Sequence, residues 1–309
     1  MSVSALNDYC EAVLRVGDDK AKWLEARRAG IGASDMPALF GLDSNRGPLW
    51  LWGVKVGEIL PDDLDGVEAV EWGLRLERPV LQAFGDRIGQ PTEASGVLYR
   101  SRRHPWAQAT LDGWVVPADA PPWPVEVKTT AAYKEADWEV GVPQRHVVQV
   151  HHQMLVTGAT RVSVACLIGG QRLVWAHVDR DESLVHEIVA RGTEFWGQVE
   201  ARKMPSIYGP GASSLIKQLW PREEPGTPLA LGPEFEAIAA KRWAAKERRD
   251  AAARIYDECS DQIRIAMGSR AEAVLPNGDR FTWKTKNMPP RAATSYRELR
   301  FYPRPEGKR

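Results

Sequence analysis

The sequence predicts an α/β (α+β) domain, a central mixed β-sheet flanked by helices, followed by a C-terminal extension of long helix and β-hairpin. Three observations carry this. Residues 20–88 read as successive helical segments. After Gly89 the chain turns to alternating segments rich in β-branched residues, at 96–100, 107–116 and 124–130. From there to 201, segments of helical and of strand periodicity follow one another. The order helix, three strands, helix, two strands, helix is that of a sheet layered with helices.

Each element has a local reason. The N-terminal part reads as helical, with an amphipathic stretch at 20–29 that stops at Gly30. Ser34 or Asp35 can then cap a helix carrying Met36, Leu39 and Phe40. Another helix is expected over 48–58, and a further one from Val67 to about Ile88, bent or interrupted near Pro79. Strands 107–116 and 124–130 read as an antiparallel hairpin with a long turn, PADAPPWP, between them. Residues 144–157 read as helix, 161–168 and 171–178 as a second hairpin around Gly169-Gly170, and 181–201 as helix. A Pro- and Gly-rich stretch separates a domain over 1–205 from an Ala-rich charged helix at about 234–267, making 206–233 a linker and 234–309 the extension. Asn277-Gly278 marks the closing hairpin.

Composition narrows the function classes. The 309 residues carry 41 basic and 41 acidic side chains, so the net charge of zero excludes a histone-like or basic-tail protein without excluding local basic tracks. No apolar run approaches the roughly 18 residues a membrane span needs. The opening residues lack the order of a signal peptide, and three scattered cysteines suit a reducing compartment, so a cytoplasmic location is expected. The 13 tryptophans mostly sit beside apolar neighbours, as Trp50, Trp52, Trp72, Trp114 and Trp196 do, and read as core. Motifs for serine hydrolases, P-loop ATPases and dinucleotide-binding folds are missing from the sequence.

The informative stretch is 71–157. Asp112 ends one strand, and Glu126 lies on the strand paired with it. Side chains two apart on a strand share a face, so Glu126 and Lys128 project together while Val125 and Val127 face the core. Two hard carboxylate ligands suit Mg²⁺, with Mn²⁺ as a substitute. A neighbouring Lys128, its pKa lowered by the cation, could position or deprotonate a water for phosphodiester hydrolysis. An E-x-K pair alone is equally a solvated salt bridge. Gln149, His151, His152 and Gln153 can form a solvated helix face, and His146, one turn earlier, is a satisfied surface histidine or, less favoured, a group that reaches DNA or metal. Ser34 serves as an N-cap, a phosphate ligand, or both. Arg100, Arg102, Arg103 and His104 form either a solvated turn or a contact to a DNA backbone, the latter favoured.

The ordered motifs GIGASD, WGLRLE at 72–77, ATLDG at 109–113, VEVKT at 125–129 and QVHHQMLVTG at 149–158 resemble the YqaJ-type viral recombinase family. That family is related to the phage lambda exonuclease within the PD-(D/E)XK nuclease fold, and the resemblance covers about residues 20–205. It implies that Asp112, Glu126, the Val127 carbonyl and Glu77 hold the metal and that Lys128 is the catalytic lysine. It implies that Gln149 contacts Lys128 or the scissile phosphate. Trp23, Arg27 and Ser34 resemble a W-x-x-x-R…S pattern that binds a 5′-terminal phosphate. Asp35 follows Ser34 here, and Ala-Thr-Leu precedes Asp112 where the family often has a proline.

The resulting expectation is a Mg²⁺-dependent exonuclease that digests linear duplex DNA from the 5′ end, leaving a 3′ strand for a single-strand annealing protein. The resemblance further implies a ring-like trimer, in the host cytoplasm if the chain is phage-encoded. The alternatives are an endonuclease or RecB-like nuclease module of the same fold, or a non-catalytic DNA-binding or assembly protein.

Overall fold

The computed structural model describes residues 8–285 apart from 16, 18, 207, 208, 224, 225 and 227. The chain divides into two compact units, 1–221 and 222–309, the division falling inside the stretch expected to be a linker.

The first unit is built on a seven-stranded sheet. Its elements run β1 (Cys10–Arg15), α1 (Lys20–Arg28), β2 (Ile31–Gly32), α2 (Met36–Leu39), α3 (Pro48–Val56), α4 (Glu68–Ile88), β3 (Thr92–Ser101), β4 (Ala107–Val115) and β5 (Trp123–Thr130). After a 3-10 turn at Ala132–Trp138 come α5 (Gln144–Thr157), β6 (Arg161–Ile168), β7 (Arg172–Asp179), α6 (Glu182–Glu200) and α7 (Ala212–Leu219). Strand order is β1-β3-β4-β5-β6-β7, all neighbours antiparallel except β5–β6, so the sheet is mixed as expected.

Three elements depart from the sequence reading. β1 is a strand to which the sequence reading assigned no element, formed because Cys10, Glu11 and Ala12 pair with Ser101, Arg100 and Tyr99 about ninety residues away. Local periodicity carries no trace of such a partner. α4 runs unbroken through Pro79, which sits on its exposed side. Proline removes one helical hydrogen bond, and here the apolar stripe of Val80, Leu81 and Phe84 packed on the sheet outweighs that loss. α7 occupies the stretch expected to be linker and anchors it through Leu215, which is fully buried beside Gly53 of α3.

β4 shares one edge between two partners. β3 takes the other edge, so both β2 and β5 must lie along this one. β2 pairs in parallel at Ala107–Gln108, and β5 pairs antiparallel only at Gly113–Val115. Beyond Gly113↔Val125 the two strands splay, and Asp112 stands at the mouth of that gap. The glycine after Asp112 has a packing reason: a Cβ at Gly113 would fall 2.4 Å from Leu81 of α4 and 2.8 Å from the Glu93 carbonyl. α4 therefore lies tight against the sheet, with Val80, Leu81 and Phe84 packed on Val115, Val125, Val127 and Ala165. α5 packs Val150 and Met154 on Val162 and Val164. Alternation on β6 places Ala165 toward α4 and Val164 toward α5, so the two helices cover opposite faces.

The second unit contains α8 (Glu234–Met267) and the hairpin β8 (Glu272–Val274) and β9 (Arg280–Thr282). At 34 residues α8 is about 50 Å long. Phe235, Ile238 and Ile255 on it are exposed.

Candidate active site

The residues expected to carry chemistry come together where β4 and β5 part. Val125 and Val127 turn to the α4 core, which sends Glu126 to the opposite face, under α5. Asp112 Oδ2 accepts the Val127 N–H at 2.8 Å, supplying the partner that β4's own backbone does not offer once the strands diverge. Glu126 is 3% exposed. Lys128 donates to its Oε1, Gln149 Nε2 donates to the same oxygen at 2.6 Å, and Gln153 donates to Oε2. Gln149 and Gln153 are four apart on α5 and so share one helix face.

Electrostatics define the cluster. Burial raises the Asp112 pKa well above its ordinary 3.8, and the charges of Glu126 and Glu77 push the same way against Lys128 and the Val127 N–H. Glu77, on α4, is likewise raised by burial and by Glu126. Burial alone would lower the Lys128 pKa, but Glu126 and Asp112 outweigh it and hold it above 10.5. Its anionic neighbours thus favour the ammonium form. Arg145, exposed at the start of α5, adds positive charge felt by both Lys128 and His146.

Three carboxylates that raise or crowd one another, with one ammonium among them, form a hard-oxygen donor set whose repulsion a divalent cation would relieve. Asp112, Glu126 and Glu77 fit such an ion by chemistry. Asp112 Oδ2 and both Glu126 oxygens are engaged in hydrogen bonds, and among the described residues no group of three or more His, Cys, Asp or Glu stands ready as a metal cage. Lys128, Gln149 and Gln153 hold the Glu126 oxygens that a cation would use.

The α5 residues correct the sequence reading. Gln149, His151, His152 and Gln153 are buried rather than solvated. His151 accepts the Asp181 N–H on Nε2 at 3.1 Å and is 2.8 Å from the Val147 carbonyl through Nδ1, a structural role at the start of α6. His152 is fully buried 6.0 Å from the Trp106 ring, and burial pushes its pKa down to about 4. His146 is no surface histidine. It stacks on Trp138 at 5.6 Å, lies 3.4 Å from Gln149 Oε1, and burial with Lys128 and Arg145 nearby brings its pKa to about 3. Gln153 was missed as a site residue; its i, i+4 spacing from Gln149 was the available signal. Among the tryptophans Trp50 and Trp52 are core, whereas Trp72 is 51% exposed with Arg75 over its ring at 5.4 Å.

A second cluster joins α1 to α3. Arg27 Nη2 donates to Ser34 Oγ at 3.2 Å, so the structure unites the pair expected to seat a phosphate. Trp23 is half-buried on the same helix. Asp35 precedes a helix of only four residues and makes no side-chain cap there. Instead Oδ2 accepts the Gly32 N–H at 3.0 Å and the Lys55 ammonium at 2.7 Å. Burial drives the Asp35 pKa up, but Lys55, Arg27 and these hydrogen bonds outweigh it and bring it to about 2. Gly32 pairs with Gln108, four residues before Asp112, which is about 14 Å along β4. Arg102 and Arg103 lie in the turn before β4, still farther from Asp112. Arg102 and Arg100 approach Glu11 at 3.9 Å, and Arg103 borders a cleft of about 520 Å³ with Tyr9, His104 and His186. The structure does not bring them to the carboxylates.

The chain is similar to several known proteins. Over 196 residues the chain is 33% identical to the uncharacterized protein YqaJ of Bacillus subtilis (strain 168), covering 62% of this chain and 60% of that one, so it spans less than two thirds of that relative. Its fold is similar to an alkaline exonuclease, LHK-Exo, from Laribacter hongkongensis, with a TM-score of 0.48 and 18% identity over 59% of this chain and 94% of that one. It is also similar to a phage-related exonuclease from Haemophilus somnus 129PT, with a TM-score of 0.37 and 11% identity over 54% and 83%. Residues 22–160 match the model of the YqaJ-like viral recombinase domain.

Proposed function

We propose that this chain is a divalent-cation-dependent exonuclease acting on the ends of linear duplex DNA. The observation that carries the reading is the convergence of Asp112, Glu126 and Lys128 at the splayed β4–β5 gap, with Glu77 across from them. Asp112, Glu126, the Val127 carbonyl and Glu77 would hold Mg²⁺ or Mn²⁺. When bound, such an ion lowers the pKa of a water and offsets charge on a phosphate. The protein's own groups then have defined tasks. The Lys128 ammonium offers its donors to a phosphate oxygen or to the attacking water and can give a proton toward the leaving oxygen. The Gln149 and Gln153 amides hold Glu126 against α5, so its oxygens do not wander in a site this crowded with like charge.

The Arg27–Ser34 pair would take the 5′-terminal phosphate, the guanidinium supplying charge and the hydroxyl a donor. A seat for that terminus in the same unit as the carboxylate cluster supports 5′-to-3′ polarity, leaving a 3′ single strand for an annealing protein. A ring-like trimer enclosing the duplex would keep such an enzyme, which has no P-loop motor of its own, on its track.

The purified chain is expected to digest linear duplex with Mg²⁺ or Mn²⁺, to spare closed circles, and to stop in EDTA. Cleavage of closed circles would reassign it as an endonuclease. Intact linear DNA with either metal would overturn the nuclease reading.

A further inference from the structure

A buried ion pair outside the carboxylate cluster lies directly beside the phosphate seat. Lys55 on α3 is 8% exposed, and lysine is almost never buried without a partner. Its ammonium donates to Asp35 Oδ2 at 2.7 Å and to the Arg27 carbonyl at 3.0 Å. With the Gly32 N–H also on Oδ2, that oxygen is fully engaged. The other oxygen, Oδ1, stands 3.8 Å from Arg27 Nη2, beyond hydrogen-bond distance. A guanidinium this close to a carboxylate ordinarily forms the two-point pair that both geometries favour. Arg27 donates to Ser34 instead.

We propose that Lys55 is a positioning residue: by holding Asp35, it keeps the Arg27 guanidinium off that carboxylate and turned toward Ser34, available to the terminal phosphate of a DNA end. This rests on the Arg27–Ser34 pair being the phosphate seat. The charges agree with it. Arg27 and Lys55 against Asp35 leave the cluster one positive charge, suited to an anion. Without Lys55 the remaining pair is neutral, and Arg27 is the cation left acting on Asp35.

The test measures equilibrium binding in EDTA, and digestion with Mg²⁺, of duplexes that carry either a 5′ phosphate or a 5′ hydroxyl. The full chain is compared with Lys55→Met and with Lys55→Met/Asp35→Asn. Lys55→Met is expected to lose about tenfold of the preference for phosphate while hydroxyl ends are handled as before. The double variant is expected to regain it to within about twofold, since the amide still accepts the Gly32 N–H but no longer competes for Arg27. Undiminished preference in Lys55→Met, or no recovery in the double variant, overturns the proposal. If Lys55→Met fails to fold, the double variant, which buries no unpaired charge, decides alone: preference kept supports the role, preference lost overturns it. A wild-type chain indifferent to the 5′ phosphate, yet still digesting linear DNA, removes the seat itself, a failure distinct from that of Lys55 within it.

Discussion

The first unit holds two acid–lysine pairs, one on β5 and one between the start of α2 and α3, and the same chemistry is set to opposite ends in each. Glu126 with Lys128 sits among further carboxylates, Asp112 and Glu77, whose pKa values are raised by burial and mutual repulsion. Asp35 with Lys55 sits beside a second cation, Arg27, and its pKa falls to about 2. The first cluster has an excess of negative charge and would gain from a divalent cation. The second has an excess of positive charge and would gain from a phosphate. What separates them is not the pair but the third and fourth charges that the fold brings to it.

The sharpest way to break this contrast is Asp112→Asn. Its amide oxygen still accepts the Val127 N–H while the crowded charge is gone, so cleavage should fall at least about a thousandfold. Because the buried carboxylate is destabilising when ionised, the variant's thermal midpoint in EDTA near pH 8 should rise above wild type. Mg²⁺ should raise the wild-type midpoint and leave the variant's unchanged. A variant that cleaves normally would end the assignment of the first cluster.

Arg27→Ala tests the second cluster from the other side. Binding of 5′-phosphorylated ends should weaken by about ten- to a hundredfold, with 5′-hydroxyl ends little affected. Equal loss on both substrates would make Arg27 a general contact rather than a terminal one. A smaller effect, about tenfold in turnover, is expected of Gln153→Leu, which removes one of the amides holding Glu126. Unaltered turnover would reduce Gln153 to packing.

The smallest effect concerns the helix that separates the two clusters. His152 keeps a folded pKa of about 4 against an ordinary 6.5, so the unfolded chain takes up its proton first as pH falls. Its contribution to stability is complete above pH 6.5 and drains away between 6.5 and 4, amounting to about 2 kcal/mol lost from pH 7 to 5. Urea midpoints of wild type and His152→Met at those two pH values should diverge by that amount. Parallel midpoints would mean that His152 is not the group titrating.

Much of the frame was legible along the chain because its causes are local. The period of 144–157, the caps and the β-branched runs each declare an element within a dozen residues, and the D…E-x-K spacing declares two strands sharing a chemistry. The edge strand β1 was not legible, since its reason is Ser101 and Tyr99 across the sheet. Nor was the intact α4 at Pro79, where packing overrides a local rule. Gln153 and Lys55 were hidden for one reason: each reads as an ordinary polar residue on an amphipathic helix until the sheet buries it.

By itself the sequence determined which side chains are present, which faces they share within an element, and the order of most strands and helices between residues 20 and 201. Those follow from backbone periodicity, which neighbouring residues dictate. Only the tertiary structure decided that β4 and β5 part after Gly113, that Asp112 fills the opening, and that Lys55 rather than Arg27 takes Asp35. Charge–charge energies depend on distance and burial between residues far apart in the chain, and neither exists until the fold has closed.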